Sequence, residues 1–438
     1  MKISILGGGI SAISLANFLQ KEKKIKEIII FEKEKEAGGL LRSYKINKIF
    51  YDVGPHIIFS RNKEILKIIL KVLGKNKNKI RRSNKILYKK KIYIKYPFEN
   101  ELYKLPKKDL KFALDKFLKN KYSKIKVKTM KDFFLKNFGE GIFKLYLGPY
   151  NEKIWKMNTS KLDTQMVERI PRPPDEDIIK SARGIKTEGY KHQLYFHYPT
   201  KGGIQSLLTA FKKKLNKKVR IINSIKLKKI NKSKKSFLIN TDKGDFETNK
   251  IFSTIPLNEF YKIYDENKKI KKISKKLQYN SIIIAMVNVK GNMGGDNFAL
   301  MVPEKRIIFH RISKLDFLGK NYSIKNSTTF QIEITYKNPS IISKMSDAEI
   351  YKKIISGLKE LKFIKKTADI NFKSLKKFKY AYVIYNLNHR KNVDDLINFY
   401  KKKEIDFLGR WGSWEYLNSD QVIEQSYEMS KKFLNEKK

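Results

Sequence analysis

The sequence of 438 residues predicts an α/β fold, a Rossmann-like parallel sheet interleaved with a mainly helical lobe and an antiparallel-sheet lobe. Three observations carry this. The first 32 residues read as strand, glycine turn, helix, strand and acid. Strand and helix patterns of the same kind return over 198–260 and again over 376–438. No internal repeat and no low-complexity linker divides the chain, so its lobes interleave rather than follow one another.

The opening unit is the most specific. Lys2-Ile-Ser-Ile-Leu6 is short, β-branched and apolar, as a buried strand is. It runs straight into Gly7-Gly8-Gly9-Ile10-Ser11-Ala12, and residues 13–20 space their apolar side chains as a helix does. Gly7 suits a tight turn, Gly9 lets the backbone approach a pyrophosphate, and Ala12 lets the helix pack closely on the strand. The pyrophosphate, with Ser11 beside it, would rest on the helix N-terminus, where N–H groups and the dipole favour an anion. Ile28-Ile-Ile-Phe31 is a second buried strand, and Glu32 at its end can accept from ribose hydroxyls.

The stretch after Glu32 selects the nucleotide. Gly38-Gly39-Leu40-Leu41-Arg42 follows the acid closely, and an acid, a glycine pair and then a basic residue resembles the FAD signature of the amine oxidase and UDP-galactopyranose mutase superfamily. The resemblance implies non-covalent FAD on a GR2-type domain.

Composition narrows the chemistry. There is no cysteine, so disulfides, thiol nucleophiles and cysteine-linked flavin are excluded. The five histidines, His56, His192, His197, His310 and His389, show no metal-ligand spacing, and no metal site is expected. The formal charge is +54, yet only about a dozen of the 97 basic residues are arginine and the lysines spread along the whole chain. That pattern, with abundant Ile and Asn, reads as compositional drift of an AT-rich genome rather than a nucleic-acid footprint. Weak association with an anionic membrane surface is the minor reading of the same charge. Lys2 leads directly into the first strand and no run of 18 apolar residues occurs, so a soluble, cytoplasmic protein is expected.

In chain order, 44–60 reads as two short strands with a Gly54-Pro55 turn, 62–73 as helix, and 86–96 as two strands around a lysine turn. Residues 110–138 read as a helical, basic stretch and 171–199 as loop. A helix is expected over 204–215, with strands near 219–230, 236–240 and 250–254. Strand patterns follow at 281–289, 306–312 and 327–336, and Ser346-Asp-Ala-Glu349 is a capping box. The expected partition gives 1–75, 198–260 and 376–438 to the FAD-binding domain, 76–197 to the helical lobe and 261–375 to the antiparallel lobe.

Scattered motifs resemble the UDP-galactopyranose mutases in the right order. Gly54-Pro55-His56-Ile57-Ile58-Phe59-Ser60 is similar to their flavin-facing histidine loop, and Tyr150-Asn-Glu-Lys153-Ile-Trp155 to a Tyr-x-x-Lys-x-Trp segment. Arg169 follows Trp155 at the family's spacing, and Phe309-His310-Arg311-Ile312 resembles the strand with a second arginine. The segment from Tyr385 to Asn392 and the run Gly409-Arg410-Trp-Gly-Ser-Trp-Glu-Tyr416-Leu-Asn418-Ser-Asp420-Gln421-Val422 complete the match. The resemblance assigns His56, Ile225, Arg410, Tyr416, Asp420, Gln421 and Val422 to the flavin, together with Leu40, Arg42 and the glycines already named. It assigns Trp155, Arg169, Arg311, Tyr385 and Tyr416 to substrate, and catalytic roles to His56, Arg169, Arg311, Tyr385 and Arg410. Retaining Arg169, Arg311 and Arg410 in a chain dominated by lysine suits phosphate recognition, since a planar fork grips two oxygens at once.

The implied reaction is isomerisation of a nucleotide-activated sugar with N5 of reduced flavin as nucleophile, in cell-surface polysaccharide synthesis. The protein would orient the substrate and neutralise the departing diphosphate. The alternative is an FAD-dependent oxidoreductase of the amine oxidase or protoporphyrinogen oxidase type on another small molecule, and a third reading is a basic binding protein on a vestigial fold. The chain departs from the mutase pattern at Phe59, where the family has histidine, at Asn386, where it has proline, and at Asn418, where it has an acid. Segment 171–199 also departs from it. These departures bear on the substrate rather than on the flavin.

Overall fold

The computed structural model describes residues 1–89, 92–167, 170, 172–188, 194–264 and 267–436. Arg169 and His192 lie outside the described residues. A five-stranded parallel sheet is assembled from four separate passages of the chain, in the order Ile405–Phe407, Lys250–Ser253, Lys2–Leu6, Glu27–Phe31, Val219–Ile222. The first strand is central and apolar, and Ile3, Ile5 and Leu6 are fully buried as a parallel strand requires. Helix Ile10–Leu19 lies over it and packs along the C-terminal helix Ser419–Asn435.

The second large element is a seven-stranded, mostly antiparallel sheet in which the long strand Gln278–Lys290 lies between Ile370–Ile384 and Ser327–Tyr336. Ile282, Ile284 and Met286 enter the core shared with the parallel sheet, while Ile283, Ala285 and Val287 pack against helix Asp347–Glu360. A period of two thus serves two cores, which is why the strand reads as an unbroken apolar run. That helix starts at Ser346, whose side chain and Glu349 form the capping box expected there.

The helical lobe holds Lys107–Leu118, Met130–Ile142, Gly148–Trp155 and Asp175–Ala182. The stretch 110–138, expected as helical, is broken in two, because Thr129 and Asp132 form a capping box that starts a second helix. Within 171–199, expected as loop, Asp175–Ala182 is helical, with three acids in its first turn behind Pro174. The strand expected at 306–312 begins only at Arg311, since the carbonyls of Val302, Glu304 and Phe309 turn instead onto the Lys153 ammonium. Two strands of the antiparallel sheet, Asn84–Tyr88 and Ile92–Lys95, come from the segment read as helical lobe. Strand Ile370–Ile384 carries the same sheet past residue 375. No helix among the described residues is long and apolar enough to cross a membrane.

Candidate functional site

Three separate stretches build a cradle at the C-terminal end of the first strand. Gly7 donates its N–H to the Phe31 carbonyl (2.8 Å), and Ile13 opens the helix by donating to Gly9 (3.1 Å). A side chain built on Gly9 would meet nothing nearer than Ser11 Oγ at 4.0 Å, so the space in front of this backbone is open. The turn Gly39–Leu41 closes on it from the other side, with a Cβ on Gly39 only 3.3 Å from the Gly9 Cα. No side chain caps helix Ile10–Leu19, so its leading N–H groups are left for an anion.

Glu32 is buried and fixed by the backbone: Gly8 N–H donates to Oε2 and Glu34 N–H to Oε1, both at 2.9 Å. Each oxygen keeps acceptor capacity for a hydroxyl. Ile225 sits against this end of the cradle, donating its N–H to the Glu32 carbonyl at 3.1 Å. Arg42 gives one N–H to the Glu36 carbonyl (2.8 Å), and its buried Nε has no hydrogen-bond partner among the described residues. An open glycine backbone, an uncapped helix, a ribose-competent acid and an orphaned guanidinium nitrogen together fit the adenosine diphosphate portion of FAD.

The C-terminal motif reaches the same place from the far end of the chain. Gly409 has φ +80°, and any side chain there would collide with Ser11 Oγ, so glycine is required by both conformation and space. Asp420, Gln421 and Val422 form the first turn of Ser419–Asn435, where Gln421 Oε1 accepts from Asn418 N–H (3.0 Å). Asn418, the departure from the expected acid, is the N-cap of this helix.

Beyond the cradle opens a cavity of about 800 Å³ lined by Leu40, His56, Trp155, Arg311, Tyr385, Arg410 and Tyr416 among others. His56 Nδ1 lies 3.1 Å from the Gly54 carbonyl. A carbonyl only accepts, so Nδ1 carries the proton and Nε2 is an acceptor. Burial, then the charges of Arg410 and Arg311, hold the imidazole neutral with a pKa of about 3. Arg410 donates to Leu417 O through Nε (2.8 Å) and Nη2 (2.5 Å), and to Ala381 O through Nη1 (3.2 Å), while its guanidinium lies 5.0 Å from the Tyr416 ring centre. Tyr385 Oη accepts from the Tyr416 N–H at 2.5 Å. Trp155, Tyr382 and Tyr416 meet edge to face, 5.4–5.7 Å between centres, as one aromatic wall.

Arg311 differs from the sequence-based expectation. Its Nε and Nη2 pair with Glu333 Oε1 and Oε2 at 2.5 and 2.6 Å, and Glu333 is fully buried. Burial opposes the charge of Arg311, but the carboxylate beside it keeps the guanidinium pKa well above its ordinary value. One edge of the fork is therefore committed inside the protein, and only the remaining edge can meet a ligand. Lys153 is likewise turned inward: its Nζ donates to Val302, Glu304 and Phe309 carbonyls at 2.7–2.8 Å, and burial, with Lys156 nearby, draws its pKa to about 7.

Apart from Arg169 and from Val422, which is buried in the core beneath the C-terminal helix, the residues proposed from sequence fall in the cradle or the cavity. Sequence reasoning missed Glu333, Tyr382 and Tyr96. Glu333 had a signal: an acid between isoleucines in a strand pattern is buried, and a buried acid needs a cation. The other departures have local reasons. Phe59 lies 5.4 Å beneath the Arg82 guanidinium, and Asn386 pairs with Leu162 in an isolated bridge. Among the described residues no cluster of acidic or imidazole side chains is placed to hold a metal ion.

Residues 5–71 match the family model described as an NAD(P)-binding Rossmann-like domain. A curated relative, UDP-galactopyranose mutase of Mycoplasma genitalium, is 25% identical over 177 residues, which are 38% of this chain and 43% of that protein's length. Among solved structures, a reduced UDP-galactopyranose mutase superposes with a TM-score of 0.89 at 22% identity, covering 99% of this chain and 95% of that one. A putative protoporphyrinogen oxidase from Exiguobacterium sp. 255-15 gives 0.79 at 14% identity, covering 99% of each chain. A fatty acid isomerase from P. acnes gives 0.68 at 12%, covering 98% of each.

Proposed function

We propose that this chain, whose fold is shared over nearly its whole length with UDP-galactopyranose mutase, is an FAD-dependent enzyme that isomerises the ring of a nucleotide-activated sugar. The observation that carries the reading is convergence: His56, Trp155, Arg311, Tyr385, Arg410 and Tyr416 come from distant stretches to one cavity at the mouth of the dinucleotide cradle. Gly9, Gly39, Glu32 and Arg42 would hold the adenosine diphosphate, and Arg410 and the first turn of Ser419–Asn435 the isoalloxazine side. Bound and reduced, FAD supplies a nucleophilic ring nitrogen. His56, neutral throughout the working pH range, offers Nε2 as an acceptor and brings no charge. The edge of Arg311 not spent on Glu333 stabilises the departing diphosphate, and Glu333 fixes its direction. The wall of Trp155, Tyr382 and Tyr416 excludes water and stacks against planar or sugar faces.

The second reading is an FAD-dependent oxidoreductase on another small molecule. It is favoured by the half-committed fork of Arg311, which weakens a diphosphate grip. Calorimetry of flavin-loaded protein with UDP separates the two. Binding of UDP, followed by conversion of a UDP-sugar under reducing conditions, is the expected outcome. Full flavin content with no heat from UDP removes the sugar-nucleotide reading and leaves the oxidoreductase.

A further inference from the structure

Beside the main cavity lies a second groove of about 510 Å³, and Tyr96 lines both. Among the described residues, Arg81, Arg82, Lys85, Lys95 and Lys104 line this groove, against two carboxylates, Glu101 and Glu188. Those two are already engaged. Glu188 pairs with Arg81 at 3.1 Å and lies 3.6 Å from Lys95, and Glu101 pairs with Lys104 at 2.9 Å. Among the described residues no ion pair reaches Lys85.

The register sets two of these cations side by side, of which Lys95 already donates to the Thr187 carbonyl at 3.1 Å and lies near Glu188. Lys85 and Lys95 stand directly opposite each other on antiparallel strands Asn84–Tyr88 and Ile92–Lys95. Like charges so placed repel, and strands normally avoid the pairing. Arg82 adds a guanidinium packed on Phe59, its pKa lowered first by burial and also by the charge of Arg311. Arg81-Arg82 is, besides, an adjacent arginine pair in a chain that uses lysine almost everywhere. Forked donors next to opposed ammonium groups are the donor set that phosphate oxygens take.

We propose that this groove is a second oxyanion site, which holds a phosphate group of a small ligand between Lys85, Lys95 and the arginine pair. Its occupancy does not depend on the reaction run in the main cavity. The phosphate supplies Lys85 with the counter-charge that Glu188 supplies to Lys95, and the shared Tyr96 makes the two compartments neighbours.

The test titrates purified full-length protein with inorganic pyrophosphate at constant ionic strength, by calorimetry, in four versions: wild type, Lys85→Glu, Arg311→Gln and Lys234→Glu. Lys234 is exposed in the connection between strands Leu227–Lys232 and Phe237–Thr241 and controls for diffuse surface charge. Lys85→Glu weakens one class of pyrophosphate binding roughly ten- to a hundredfold, the loss of a charge-assisted contact. Arg311→Gln leaves that class in place, and Lys234→Glu changes it by less than about twofold. If Lys85→Glu fails to fold by circular dichroism, Lys85→Gln gives the same reading with a smaller loss. Absence of pyrophosphate binding in wild type, equal weakening by Lys85→Glu and Lys234→Glu, or loss of all binding in an Arg311→Gln protein whose circular dichroism matches wild type overturns the proposal.

Discussion

The pairing of Arg311 with Glu333 sets a measurable expectation for Glu333→Gln. The carboxylate is fully buried and receives two short charge-assisted bonds, at 2.5 and 2.6 Å. Removing one member of a buried pair costs about 3–5 kcal/mol, because the other charge is stranded. Arg311 keeps a 27% exposed side chain, so water recovers part of that, and glutamine retains one acceptor. The expected cost is therefore at the low end, about 3 kcal/mol. Arg311→Met strands the carboxylate instead, in a site with no exposure at all, and costs about 4 kcal/mol. The double variant leaves neither charge behind, so a double-mutant cycle in urea should show a coupling of at least about 2 kcal/mol. Single-variant losses that simply add, with coupling under about 0.5 kcal/mol, would mean the pair is not the anchor described. Flavin content is expected to stay full in all three variants, since neither residue lies in the cradle.

Acid precipitation of the purified protein should release its flavin into the supernatant, and Gly9→Val should abolish flavin retention while leaving the circular dichroism unchanged, because the new side chain fills the open space before the backbone. His56 gives a pH signature with a definite sign. Its folded pKa of about 3 lies below the ordinary 6.5, so the unfolded chain binds more protons across that interval and stability falls as pH drops through it. His56→Gln should flatten the dependence of the urea midpoint on pH between about 6.5 and 3; an unchanged slope refutes burial of a neutral imidazole. Duplex DNA should bind weakly, with steep salt dependence and no sequence preference, if the charge of +54 is compositional. Tight, sequence-selective binding at physiological salt reverses that reading.

What was legible in the sequence was what is local. Residues 1–32 declare strand, turn, helix, strand and acid because each signal lies within a few residues of the next, and the capping box at Ser346–Glu349 does so for the same reason. The motif around Gly409 was legible as a pattern, but not its contact with Ser11, which joins chain segments nearly four hundred residues apart. Arg311 was recognisable as a kept arginine; its partner lies on the next strand of the sheet, and strand register is not written in any short window. Lys153 was legible only as part of a motif; that it clasps three carbonyls of a loop about 150 residues later was not. The break before Met130 and the helix at Asp175 were signalled by caps and acids that a reading of composition passes over.

The order of strands in the parallel sheet has a consequence for synthesis. Lys2–Leu6 and Glu27–Phe31 leave the ribosome first, but one flank of the central strand is closed by Lys250–Ser253, more than two hundred residues later. At about 5–20 residues per second, those apolar strands wait roughly 10–45 seconds for that neighbour. Ile405–Phe407, Gly409 and the C-terminal helix arrive later still. The parts of the cradle are thus translated about four hundred residues apart. Nascent or truncated chains that stop before Lys250 leave one flank of the apolar Lys2–Leu6 strand without its neighbour, and they are the species on which chaperones and proteases will act.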